Sequence, residues 1–230
     1  MSGGITWAYW TLALLLLPEA IWLMFIPSPA RQIEIEDEPA RRVDYVLVSL
    51  VALFCFFYVG AEVGFGGWIF SYAVTLNLAD ETLAAYLTSG FYGTFTLGRL
   101  LSIPLVARFR PRLVLVTDLI GCLFSLGLIV LWPASLIAVW IGTLGLGLSM
   151  ASVFPTIYSM AGRRMIMTGQ ITGLFFVGAS LGGMSIPWLI GQLFVWMQPQ
   201  AMMVFLVANL VLALGVIIAF IFYSKRTSSI

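Results

Sequence analysis

Glu62 is an ionisable side chain inside an apolar run, Tyr58–Tyr72, that reads YVGAEVGFGGWIFSY. Four glycines (Gly60, Gly64, Gly66, Gly67) and five rings (Tyr58, Phe65, Trp68, Phe70, Tyr72) share the stretch. A carboxylate placed in hydrocarbon costs at least a few kcal/mol unless it faces protein or water, which makes it a candidate site residue. Clustered glycines let a second backbone approach closely, or let a helix break where it lines a cavity. An acid, a break and rings together are what a pathway for a polar ligand needs; a bundle held only by packing needs none of them.

At 3.6 residues per turn, Tyr58, Glu62, Phe65, Ile69 and Tyr72 share one helix face. Trp68 falls about 120° from Glu62, so it joins the same cavity only if the helix unwinds around Gly64–Gly67. Phe154 and Tyr158 flank Pro155 and lie four residues apart, a second aromatic pair on one face. Two further charges sit within apolar runs: Arg99, nine residues before Arg108, and Asp118 in the following run. A pair between them is the least costly way to keep both ionised; it either fixes helix register or forms a cytoplasmic latch. Glu19, eight residues before Pro27, reads as an acid satisfied near the inner interface.

Membrane-spanning helices must position these groups. The chain has 230 residues, 61% of them hydrophobic and 9% charged, where a soluble domain carries roughly 25% charge. Seven runs reach the ~20 residues a span needs: Thr6–Ile26, Asp44–Leu76, Thr82–Ala107, Leu113–Trp132, Ser135–Ala161, Gly169–Met197 and Met202–Tyr223. The second is long enough to require a tilt, a kink or a projection from the bilayer. Alternating strands are absent, which argues against a lipid-facing barrel. The start lacks a basic segment and a small-residue cleavage site, so the first run is not read as a signal peptide. Cys55 and Cys122 lie in separate spans and read as packing residues, and there is no histidine. No nucleophile–base or metal constellation appears, so neither an enzyme nor a bound cofactor is expected, and no nucleic-acid partner.

The Lys and Arg residues fix an orientation. Arg31, Arg41 and Arg42 fall between spans one and two; Arg108, Arg110 and Arg112 between three and four; Arg163 and Arg164 between five and six; Lys225 and Arg226 follow span seven. The intervening loops on the other side carry none. Basic loops collect on the cytoplasmic side, so the N-terminus is expected outside and the C-terminus inside. The expected organisation is a first transmembrane helix (1–26), a cytoplasmic linker (27–43), a six-helix bundle (44–223) and a cytoplasmic tail (224–230). Within the bundle, Ser102-Ile103-Pro104 returns as Ser185-Ile186-Pro187, each after a glycine series and 83 residues apart. Three helices per copy would make the copies inverted, as in secondary transporters. The expected fold is therefore all-α, a polytopic bundle of seven spans, six of them a 3+3 inverted repeat.

Tyr58-Val59-Gly60-Ala61-Glu62 with Trp68 and Tyr72, then Gly98-Arg99 with Arg108-Phe109 and Pro111, then Phe154-Pro155-Thr156, resemble the C-terminal half of a major facilitator superfamily transporter. The fucose permease and sodium-dependent glucose transporter branch is the most similar. The resemblance runs from about Asp44 to about Phe220 and makes span one the family's helix six. It implies alternating-access transport of a small polar solute, with a monosaccharide as substrate and H+ or Na+ as candidates for a co-transported ion. Under it Glu62, Trp68 and Tyr72 become sugar contacts, with Tyr58, Phe154 and Tyr158 as further lining residues, and the segment from Gly98-Arg99 through Pro111, with Arg108 and Arg112, becomes a cytoplasmic gate. The family's helices one to five have no counterpart here, which implies a missing N-terminal half or a second chain. A receptor-like seven-helix protein and a non-transporting membrane subunit are the other readings of the same spans.

Overall fold

The structure, a computed structural model, describes residues 3–26 and 44–227. The expected linker, with Arg31, Arg41 and Arg42, lies outside the described residues, as does the end of the tail. The chain divides into two compact units, residues 1–42 and 43–230. The first holds α1 (Gly3–Phe25), with Pro18 inside it.

The second unit holds α2 (Tyr45–Thr75), α3 (Glu81–Arg108), α4 (Pro111–Leu131), α5 (Leu136–Met150), α6 (Val153–Gly162), α7 (Gly169–Trp196) and α8 (Gln200–Thr227). Polar residues at the starts supply the caps that helix ends require. The Asp44 carboxylate accepts from the Val46 and Leu47 N–H groups at 3.0 and 3.3 Å. Asp80 caps α3 through Leu83 at 2.7 Å, and Ser135 and Thr168 cap α5 and α7. Pro111 occupies the first turn of α4, where its missing N–H costs nothing. Between α2 and α3 the chain reverses through Asn77 at φ 54°, a left-handed turn that asparagine tolerates.

Span five is a broken rod. Its helix stops at Met150 and restarts at Val153, because Pro155 has no N–H for the carbonyl one turn earlier. Span two is not broken: α2 runs through all four glycines without interruption. Its glycines receive another helix instead, with Gly60 and Gly64 against Ile186 and Ile190 of α7. At about 46 Å it exceeds a bilayer core of roughly 30 Å, so it must tilt or project.

The packing carries the inverted repeat. α2 packs chiefly on α7 and α8, while α5, its counterpart in the second triple, packs chiefly on α3 and α4; α4 and α8 also meet. Each triple thus makes its main contacts with the other. Both crossings are closed by glycine on backbone. A methyl at Gly182 would overlap the Phe56 carbonyl, and one at Gly147 would overlap the Phe91 carbonyl. Asn209 of α8 donates its side-chain N–H to the Phe57 carbonyl of α2 at 2.6 Å, an interhelical bond. Between the helices lies one apolar core, with Phe54, Phe65, Phe91, Leu119, Phe175 and Phe220 among its enclosed residues.

Among the described residues, five rods are long and apolar enough to cross a membrane by length and composition: α2, α4, α5–α6, α7 and α8. Of the two other expected spans, α1 offers the shorter apolar run Tyr9–Phe25. α3 falls short because Ser89, Tyr92, Thr94, Thr96 and Arg99 interrupt it.

Candidate functional site

The aromatic stripe of α2 divides when it is packed. Tyr58, Phe65, Ile69 and Tyr72 are fully enclosed. Glu62 lies about 40° round the helix from Tyr58, at the edge of the stripe, and is partly exposed. Tyr58 donates its hydroxyl to the Met150 carbonyl at 2.6 Å, the last residue of α5 before the break. Glu62 lies one turn on from Tyr58, so the phenol that reaches the broken rod stands beside the acid of α2. Tyr72 is enclosed with its hydroxyl unpartnered.

α3 packs beside this stretch of α2. Phe65 packs on Phe91 with ring centroids 5.2 Å apart, and Gly66 lies beneath Tyr92. Thr96 follows Tyr92 one turn on along α3. Arg99, one turn further, has its guanidinium 4.6 Å from the Phe95 ring centroid and is within electrostatic range of Glu62. Ser89, Tyr92, Thr96 and Arg99 follow one another at three- and four-residue steps, and all are exposed on the flank of the bundle. The Ser89 and Thr96 hydroxyls donate back to the Ala85 and Tyr92 carbonyls at 3.1 and 2.8 Å, whereas the Arg99 charge is the costly group to expose to hydrocarbon. Tyr92 and Thr96 were not among the residues expected from the sequence; the periodic polar positions in an otherwise apolar segment are the signal that could have found them.

Trp68 stands elsewhere. Its indole N–H donates to the Pro187 carbonyl of α7 at 3.0 Å, and its ring packs on Phe194 at 4.9 Å. With α2 unbroken, nothing brings it round to Glu62. Trp68→Phe should lower stability by about 1 kcal/mol through loss of that bond, read as a thermal midpoint; an unchanged midpoint would mean that the bond holds nothing together. Phe154 packs on Phe176 of α7 at 6.0 Å, and the Tyr158 hydroxyl meets the Thr172 hydroxyl at 3.2 Å. These two rings do share a face, and that face is turned to α7.

The expected Arg99–Asp118 pair does not form. Arg99 rests on Phe95, and Asp118 accepts a hydrogen bond from Ser152. α3 and α4, though joined by a two-residue turn, touch only slightly, because α5 packs against both. Arg108 ends α3, where a cation suits the helix dipole, and Arg112 stands in the first turn of α4.

A protein-family model described as Major Facilitator Superfamily matches residues 1–187. The chain is 37% identical over 196 residues to sodium-dependent glucose transporter 1A of Mus musculus, covering 83% of this chain and 46% of that protein. It is 36% identical to sodium-dependent glucose transporter 1 of Homo sapiens, covering 83% and 38%. To major facilitator superfamily domain-containing protein 4A of Mus musculus it is 25% identical, covering 96% and 52%. The chain thus spans about half the length of these relatives or less. Among solved structures, the FucP transporter in its outward conformation superposes with a TM-score of 0.69 at 22% identity, covering 96% of this chain and 54% of that one. The POT family transporter PepTSo superposes with a TM-score of 0.66 at 12% identity, covering 79% of this chain and 38% of that one. Two interlocked inverted triples and the match over residues 1–187 place the chain in the Major Facilitator Superfamily.

Proposed function

We propose that this chain supplies one half of the solute cavity of an alternating-access carrier for a small polar solute, a monosaccharide. The observation that carries the reading is the polar flank made by the partly exposed Glu62 of α2 and the exposed Tyr92, Thr96 and Arg99 of α3, where Tyr92 lies over Gly66 of α2. An acid, a base, a phenol and a hydroxyl at mid-span offer donors and acceptors for sugar hydroxyls, and they belong where water reaches. The relatives named as sodium-dependent glucose transporters support the sugar assignment. A second six-helix half, from another chain or another segment, closes the cavity against this flank. Residues 44–223 form the C-terminal bundle, 1–26 the preceding span, and 27–43 a cytoplasmic linker. The basic loops put the N-terminus outside and the C-terminus in the cytoplasm.

Thiol labelling tests this cleanly, because both native cysteines, Cys55 and Cys122, are buried. Thr96→Cys in a transport-competent assembly should react with a membrane-impermeant maleimide, and glucose should slow the reaction. Phe124→Cys should stay unmodified although Phe124 is 73% exposed on the bundle surface, because lipid covers it. An inert Thr96→Cys would remove the cavity and leave a docking or receptor-like chain.

A further inference from the structure

A second group of polar side chains lies between α4 and the α5–α6 break. Asp118 of α4 is partly exposed. Ser152, the residue that begins α6, is only 6% exposed. Its hydroxyl caps no backbone N–H of that helix and donates to the Asp118 carboxylate instead. One turn on, Thr156 is fully enclosed with its hydroxyl unpartnered. Its spacing from Ser152 sets it on the same face of α6, and α6 packs chiefly on α4. Pro155 offers no N–H to the carbonyl of Ala151, a residue 1% exposed. On the α5 side, Ser149 packs against Gly121, one turn beyond Asp118.

We propose that this group is a sodium site: the Asp118 carboxylate supplies the charge, and the Ser152 hydroxyl, the Thr156 hydroxyl and the Ala151 carbonyl supply neutral oxygens. Buried polar atoms are seldom left without partners, and one hydrogen bond between Ser152 and Asp118 does not satisfy Thr156 or the freed carbonyl. An oxygen-only donor set selects hard cations. A single carboxylate suits a monovalent ion, since calcium and magnesium sites gather more oxygens or waters and usually more charge. Tyr58 of α2 holds the carbonyl of Met150 at the same break, so an ion bound here sits one residue from a contact with α2, one turn from Glu62. The site rests on the carrier reading for its role, as the coupling ion, but not for its ability to bind.

The chain in lipid nanodiscs is unfolded by heat in sodium chloride, potassium chloride or choline chloride at one ionic strength. A fluorogenic thiol dye reads the exposure of Cys55 and Cys122. At roughly ten times its dissociation constant, sodium should raise the midpoint by about 4 °C over choline, and radioactive sodium should bind in a scintillation proximity assay. Asp118→Asn should abolish both effects, and Thr156→Val should weaken half-saturation about tenfold. Thr117→Ala, the exposed neighbour on α4, should keep them. If Asp118→Asn fails to fold, Ser152→Ala and Thr156→Val decide. Equal midpoints in sodium and choline with no bound radioactivity overturn the site, as does half-saturation by sodium that Ser152→Ala and Thr156→Val leave unchanged. Sodium binding without sugar uptake would sink the carrier reading and leave the site; uptake without sodium binding would do the reverse.

Discussion

Gly182→Ala and Gly147→Ala should each destabilise the bundle by roughly 3 kcal/mol, an overpacking cost, and lower its thermal midpoint by about 6–12 °C. At Gly182 the added carbon meets the carbonyl oxygen, carbonyl carbon and Cα of Phe56, all backbone. At Gly147 it meets the Phe91 carbonyl together with the Thr94 hydroxyl. No flexible side-chain end can move aside, so the helices themselves must separate. The packing lost is that of α2 on α7 and of α5 on α3, the two crossings that the inverted repeat relates. Comparable losses at the two positions are therefore expected. Gly93→Ala and Gly173→Ala are the controls: nothing lies within 4 Å of either position, and alanine is the better helix former by about 1 kcal/mol. Midpoints for Gly182→Ala and Gly147→Ala within a degree of the unaltered chain would mean that these helices do not approach as closely as described.

The spans were legible because hydropathy and length are enough to find them. The inverted repeat showed through the Ser-Ile-Pro echo, whose two copies fall in α3 and α7, counterparts in the packing. The break in span five follows from Pro155, whose missing N–H acts within one turn. The role of the α2 glycines was not legible. Glycine serves both a break and a close approach, and which one wins depends on Gly178 and Gly182 arriving on α7 from more than a hundred residues away. The same choice decides which way Trp68 turns, since its partner carbonyl belongs to Pro187. The Arg99–Asp118 pair was inferred from adjacent spans, but in an interlocked repeat adjacent spans need not be neighbours. Tyr92 and Thr96 were overlooked because neither residue is costly alone; only their spacing with Arg99, and the flank they occupy, sets them apart.

Glu62→Gln should lower the kcat/KM for sugar uptake about 100-fold in a transport-competent assembly, since truncating one member of a partly buried charged, hydrogen-bonded group costs roughly 3 kcal/mol. Glutamine keeps the length and shape of the side chain, removes the charge and turns one acceptor oxygen into an NH2 donor. Tyr58 keeps its bond to Met150 in either case, because the carbonyl accepts the phenol proton whatever stands at position 62. The loss would therefore report on recognition and not on the broken rod. Arg99→Gln should weaken uptake as well, as Arg99 lies within electrostatic range of Glu62 and shares the exposed flank with Tyr92 and Thr96. If the two charges act together on the solute, the double variant should lose less than the product of the single losses, by a coupling of about 1 kcal/mol. A strictly multiplicative loss would assign Glu62 and Arg99 to separate steps. Uptake by Glu62→Gln within twofold of the unaltered chain would take the carboxylate out of the solute's path, and the polar flank would then have to be the docking surface of the other half.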